Sequence, residues 1–313
     1  MKCNNRKVPV LFLMFNRPDV TVEALSVIRK YQPDRLYIAA DGPRANKHGE
    51  KELCEATRKA ALDMIDWPCE VKTLFRDNNL GCADAVSSAI TWFFTHEEFG
   101  VIAEDDIIFS QDFFKLCEEL GPKYKNDDRI MAINAQYIGK KHVLNDSYGF
   151  SNSVWVWGWA SWRRAWNKMD MSMSLFPKMS LSKHIKAFGL FRGFMLYKYY
   201  WGHDYKVISN GGLITSWATR WMFNIFANDG LVIVPACNLA INTGCNGVEG
   251  AHYTANDKDR YSFLKLSSLS WPLSHPTEIA VNNGLRNIES LDFRRIRFAG
   301  LLKKLKSISI KCQ

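Results

Sequence analysis

The chain has 313 residues, 47% of them hydrophobic and 23% charged, which fits one large soluble α/β domain or a domain with an appendage. Its formal net charge of +9 sits largely at one end. Residues 291–313 hold seven Lys and Arg against Asp292 alone, leaving about +3 for the first 290 residues, which argues against a nucleic-acid-binding protein.

Eight cysteines without a C-x-x-C pair or small-domain disulfide spacing read as free thiols of a reducing, cytoplasmic setting. The first apolar run, Val8 to Phe15, follows Lys2, Arg6 and Lys7 but contains Pro9 and lacks a small-residue cleavage site, so it reads as a strand rather than a signal peptide. No apolar run reaches the roughly 18 residues needed to cross a bilayer.

That strand stops at Asn16-Arg17-Pro18-Asp19, and Val20, Ala24, Leu25, Val27 and Ile28 then keep helical spacing up to Tyr31-Gln32-Pro33. A second strand, residues 35–40, runs into Asp41-Gly42. Residues 45–66 read as a helix. A third strand, 70–75, ends at Arg76-Asp77-Asn78-Asn79, and residues 83–94 are helical again. The run Val101 to Phe109 carries Glu104-Asp105-Asp106 between two apolar, β-branched stretches.

This alternation predicts an α/β fold with a mostly parallel, doubly wound sheet flanked by helices. Four polar signals, Asn16-Arg17, Asp41, Arg76 with Asn79, and the acidic triplet, then fall at the carboxyl ends of strands, where open α/β sheets bind ligands. Three acids at the mouth of a buried strand need cations, and a divalent metal carrying a phosphate ligand suits an all-oxygen site. An acidic solvated turn is the plainer alternative. No G-x-G-x-x-G follows the first strand and there is no P-loop, which counts against a dinucleotide-dependent dehydrogenase or an ATPase.

A helix over residues 113–120 and a strand over 130–134 follow. Five tryptophans then fall within twelve residues, Trp155 to Trp166. They read either as an aromatic mini-core or as a platform for a sugar, with Trp157, Trp159, Trp162 and the later Trp217 as acceptor contacts and Arg163 and Arg164 available to phosphates. Residues 171–210 are weakly helical. Ser216 to Trp221 opens an apolar helix, 231–234 is a strand, and Asn242-Thr243-Gly244-Cys245-Asn246-Gly247 is a glycine-rich loop. In the last segment Phe298, Leu301, Leu302, Leu305 and Ile308 share one helical arc with Arg295, Lys303 and Lys306 outside it. That is a basic amphipathic helix suited either to an anionic membrane surface or to packing back on the domain. The expected division is a domain over 1–260 and an extension over 261–313.

Taken together, Asn-Arg after the first strand, Asp after the second and Glu-Asp-Asp closing the fourth resemble metal-dependent glycosyltransferases of the GT-A fold. The N-acetylglucosaminyltransferase I type is similar at Tyr31-Gln32-Pro33 and over Val101 to Phe114. Bacterial sugar transferases of surface-polysaccharide and lipopolysaccharide synthesis are similar at Trp157-Gly158-Trp159-Ala160-Ser161-Trp162, at Ser216-Trp217-Ala218-Thr219-Arg220-Trp221 and at Gly250-Ala251-His252. The resemblance spans roughly residues 8 to 255.

It implies transfer of a sugar from a nucleotide-sugar donor, UDP-linked by preference, to a saccharide or lipid-linked saccharide acceptor, with the enzyme peripheral on the inner face of the cytoplasmic membrane. Asp106 would hold Mn²⁺ or Mg²⁺ on the donor diphosphate, with Glu104 and Asp105 beside it and His252 completing the metal or phosphate site. Asn16, Arg17, Asp41, Arg76 and Asn79 would serve the nucleotide. The family's W-D-D-W segment, which supplies the catalytic base, reads Trp217-Ala218-Thr219-Arg220-Trp221 here. The base is therefore unassigned; Arg220 would bind the leaving diphosphate and Asp204 is a substitute base. The rival expectations are a non-catalytic carbohydrate-binding protein of the same fold, or a sugar-1-phosphate nucleotidyltransferase.

Overall fold

The computed structural model describes residues 7–246, 261 and 263–293. The chain begins with β1 (Val10–Met14), buried along its whole length as a strand covered on both faces must be. Helix α1 (Pro18–Tyr31) starts with proline at its first turn, where a missing N–H costs nothing. It buries Ala24, Leu25, Val27, Ile28 and Tyr31 and ends at Gln32, whose left-handed φ of 53° lets its N–H close on Ile28 O. There follow β2 (Arg35–Ala40), α2 (Glu50–Asp63), β3 (Glu70–Phe75), α3 (Cys82–His96) and β4 (Phe99–Glu104).

The run expected as one strand through the acidic triplet is two. The chain turns at Asp105 and Asp106, and β5 (Ile107–Phe109) leaves the main sheet to pair elsewhere. Next come α4 (Gln111–Lys123), β6 (Ile130–Asn134), β7 (Tyr148–Ser151), β8 (Trp159–Trp162), α5 (Arg163–Trp166), α6 (Leu181–Phe188), α7 (Leu190–Met195), α8 (Trp201–Ser209), α9 (Ala218–Ala227), β9 (Leu231–Pro235) and β10 (Ala240–Asn242).

Eight strands form one sheet in the order β3-β2-β1-β4-β8-β6-β9-β7. The half β3-β2-β1-β4 is parallel throughout. β8 runs antiparallel between β4 and β6, while β6 and β9 are parallel again. The protein is thus α/β with a mostly parallel central sheet flanked by helices. β10 pairs antiparallel with β5 in a separate ribbon. The chain steps outward from β1 through β2 to β3, then returns to place β4 on the other side of β1. The switch point lies between β1 and β4, where such sheets open a crevice.

The tryptophan-rich run is mostly core. Trp159, Trp162 and Trp166 are buried; Trp159 and Trp166 form a nest with Trp217 and Trp221 in which Trp166 and Trp221 centroids lie 5.0 Å apart, while Trp162 packs against Phe99 at 4.9 Å. The weakly helical stretch makes α6 to α8 around a second small core of Phe176, Phe188, Trp201, Phe223 and Phe226. Beyond residue 260 the described chain packs back on the domain: Leu269 and Leu273 join the main core, and Asp112 accepts from Leu269 N and Trp271 Nε1 at 2.8 and 3.2 Å. The expected basic amphipathic arc and His252 lie outside the described residues. Cys54, Cys69, Cys82, Cys117 and Cys237 are free thiols. No helix among the described residues is long and apolar enough to cross a membrane.

Candidate functional site

The carboxyl ends of β1, β2, β3 and β4 open into a cleft of about 1140 Å³, lined by all eight residues expected at this edge from Asn16 to Asp106. The turn after β4 is its charged centre. Arg17, carried at the start of α1, reaches across from the β1 side. Its guanidinium forks onto Asp105, with Nε donating to Oδ2 at 3.3 Å, and also donates to Asp106 Oδ2 at 3.1 Å. Arg17 is therefore paired with Asp105 and Asp106 and is not the open nucleotide contact that the resemblance implies. The two carboxylates in turn raise the Arg17 pKa although burial opposes them.

One cation does not balance three acids. Burial, with Arg17 opposing, leaves the Asp105 carboxyl pushed up to about 6. Glu104, at the last position of β4, lies well above the usual carboxylate range, through burial first and then the charges of Asp106 and Asp105. Asp106 Oδ1 is buried with no hydrogen-bond partner among the described residues. Such an orphaned anionic oxygen costs free energy unless something positive meets it. A divalent ion fits that deficit, since one or two carboxylates plus phosphate and water oxygens suffice for Mg²⁺-like coordination. No group of three or more His, Cys, Asp and Glu side chains arranged to hold a metal occurs among the described residues, so the other ligands would be ligand, water or amide oxygens.

Asp41 and Asn79 lie at the cleft floor but spend their polar atoms on each other. Asp41 accepts from Asn79 Nδ2 at 2.9 Å and from the backbone N–H groups of Gly42, Leu80 and Gly81 at 2.9 to 3.1 Å. Its part is to pin the loop entering α3. Gly42 permits the approach, because a Cβ there would collide with the Asn78 backbone. Asn16 likewise donates to Glu50 Oε1 at 3.1 Å, and Glu50 holds Arg44; sequence reading missed that buried carboxylate. Arg76 donates to Ser88 Oγ at 2.8 Å and makes no salt bridge among the described residues; burial lowers its pKa, with the charge of Asp41 opposing. With Lys47 it lines the cleft as a cation available to phosphate.

Several expected residues stand elsewhere. Asp204, on α8, accepts from Thr219 Oγ1 at 3.3 Å and does not line the cleft. Arg220 is buried, and its guanidinium donates to Ser216 O and Ile214 O at 3.0 and 2.9 Å, tying down the chain that enters α9. Neither is placed to act as base or diphosphate ligand. Trp159 is 0% exposed and Trp162 2%, the latter donating Nε1–H to Gly121 O, so neither offers a face to an acceptor. Arg163 and Arg164 are bound to the backbone carbonyls of Glu97 and of Tyr124 and Lys125. Trp157 and Trp217 do line the cleft; Trp217 stacks on Trp159 at 6.0 Å, while Trp157 is half-buried against Tyr261 at 5.1 Å. Asn242 and Gly244, in the loop read only as glycine-rich, line the wall facing Asp106.

No protein family and no curated protein matches the chain. Among solved structures it is similar to HddC from Yersinia pseudotuberculosis, at 8% identity and a TM-score of 0.34, covering 55% of this chain and 87% of that one. It is similar to 4-diphosphocytidyl-2C-methyl-D-erythritolsynthase from Anaerococcus prevotii, at 9% identity and 0.34, covering 80% and 95%. It is also similar to the inositol-1-phosphate CTP transferase from T. maritima, at 10% and 0.31, covering 54% and 76%. The fold class rests on the strand order itself, which places a charged cleft at the switch point between β1 and β4.

Proposed function

We propose that the chain is a metal-dependent transferase that takes a nucleotide-sugar in the β1/β4 cleft and passes its glycosyl group to a saccharide or lipid-linked saccharide acceptor. The observation that carries this is the unpaired, buried Asp106 Oδ1 at a switch-point cleft whose acids exceed their single paired cation. Mn²⁺ or Mg²⁺ there would supply Lewis-acid stabilisation of the diphosphate leaving group. Arg17 holds Asp105 and Asp106 in place, Arg76 and Lys47 add positive charge for the phosphates, and Trp157 offers an apolar ring face to a sugar.

A second reading has one observation in its favour. Arg76 and Lys47 are two cleft cations with no salt bridge to a carboxylate among the described residues, which suits a triphosphate, and a CTP-dependent transfer to inositol 1-phosphate is what the inositol-1-phosphate CTP transferase is named for. Against it, the β1 loop Phe15-Asn16-Arg17-Pro18 has no glycine, and its arginine is committed to Asp105 and Asp106.

Product analysis separates the two. With Mn²⁺ and a panel of nucleotide-sugars, the transferase releases nucleoside diphosphate. With nucleoside triphosphates and sugar 1-phosphates, the nucleotidyltransferase releases pyrophosphate. Asp106→Asn should abolish whichever product forms. If neither product forms and UDP, GDP, CDP and CTP all fail to raise the melting temperature with Mn²⁺ present, both readings fall.

A further inference from the structure

β10 ends on an oxygen that the reading above leaves unused. It pairs antiparallel with β5, with Asn242 opposite Ile107, and so arrives beside the acidic turn. Thr243 clamps that turn, its backbone N–H and its hydroxyl both donating to Asp106 O, at 2.8 and 3.2 Å. Among the described residues Asn242 Oδ1 is buried without a hydrogen-bond partner, as Asp106 Oδ1 is, and both residues line the cleft. Gly244 sits between them. A Cβ at Gly244 would lie 3.1 Å from Asn242 Oδ1 and overlap Asp106 Oδ2.

Two residues from distant parts of the chain, each with one desolvated side-chain oxygen unpaired among the described residues, thus flank Gly244 at the acidic turn; the Asp106 oxygen nearer Gly244, Oδ2, already accepts from Arg17. Side-by-side acceptors repel, and each orphaned oxygen carries a desolvation penalty. A hard cation removes both costs, since carboxylate and amide oxygens are its preferred ligands. We propose that Asn242 is a second protein ligand, through Oδ1, of the divalent cation that Asp106 holds, and that residue 244 must lack a side chain for the two oxygens to share it. This rests on the metal-dependent reading above. An amide turned the other way would donate Nδ2–H to Asp106 instead, and aspartate at the position separates the two arrangements because it has oxygens but no donor.

The test titrates the full-length wild type and the variants Asn242→Ala, Asn242→Asp, Gly244→Ala and Asp106→Asn with Mn²⁺ alone. Free Mn²⁺ is followed by electron paramagnetic resonance, and unfolding by thermal melts with and without the ion. Asn242→Ala and Gly244→Ala should each weaken Mn²⁺ binding at least about tenfold, equivalent to about 1.4 kcal/mol. Asn242→Asp should bind Mn²⁺ as tightly as wild type or tighter. It should also gain more in melting temperature from the ion, because without it two carboxylates face each other. Wild-type affinity in Asn242→Ala, or equal weakness in Asn242→Asp and Asn242→Ala, overturns the inference; loss of Mn²⁺ in Asp106→Asn would then leave the metal-dependent reading standing. If the wild type binds no Mn²⁺, both fall together.

Discussion

Arg17 makes the acidic turn tolerable. Its side chain is 24% exposed and that of Asp105 6%, so the pair is largely removed from water. Removing one partner of such a pair leaves a buried charge uncompensated, which typically costs about 3–5 kcal/mol. Arg17→Met keeps the aliphatic stem and should lower unfolding stability toward that range in urea denaturation at neutral pH. A loss below about 1 kcal/mol would mean that the pair behaves as an exposed one and holds nothing in place. The position of Arg17 was legible in the sequence, since an Asn-Arg-Pro step after a buried strand marks a sheet edge. Its partner was not. The same gap hid the partners of Asp41 and Asn79, which line the cleft but have polar atoms taken by backbone N–H groups and by each other. Glu50 and Asn242 went unread because the residues that give them meaning lie far away in the chain.

At the level of elements, β8 separates the two readings of the tryptophan-rich run. Tryptophans spaced two to four apart fit an aromatic mini-core as well as a binding platform; β8 lies between β4 and β6, and a strand inside an eight-stranded sheet buries both faces. Only the residues before the strand begins, Trp155 and Trp157, keep partial exposure. The two kinds of tryptophan should therefore separate experimentally. Trp159→Ala empties the centre of the aromatic nest and should cost about 3–5 kcal/mol in chemical denaturation. Trp157→Ala should cost much less stability while weakening binding of saccharide acceptors, read by calorimetry or by acceptor KM. Equal destabilisation by both would place Trp157 in the core as well. The regular βα units were readable because their hydrophobic period is uniform. The break of Val101–Phe109 into β4 and β5 was not, because it depends on β10 arriving to pair with β5.

Across the whole molecule, the chain closes on itself through a buried polar cluster distant in sequence from the acidic turn. Arg192 of α7 and Glu289, in the helical segment 283–293, are 5% and 4% exposed and lie 3.1 Å apart. Glu289 also accepts from Ser151 Oγ at 2.6 Å and Ser153 Oγ at 2.8 Å, and Arg192 donates to Ser153 Oγ at 2.9 Å. The cluster joins the β7 edge of the sheet, the helical layer of α6 to α8 and the returning C-terminal segment. This closure was not legible beforehand: residues 263–281 have no regular period, and their packing depends on single anchors such as Leu269 and Trp271. A buried ion pair is weak evidence of net stability but a strong constraint once formed. Glu289→Ala should therefore destabilise the protein by about 3–5 kcal/mol, because Arg192 is left buried and unpaired. The double variant Arg192→Met with Glu289→Leu should recover most of that loss, since both desolvation costs disappear together. Hydrogen exchange in β7 and α7 would report the same coupling, rising in the single variant and returning in the double. If the double variant is as unstable as Glu289→Ala, charge compensation is not what the cluster supplies, and its serine hydrogen bonds carry the closure instead.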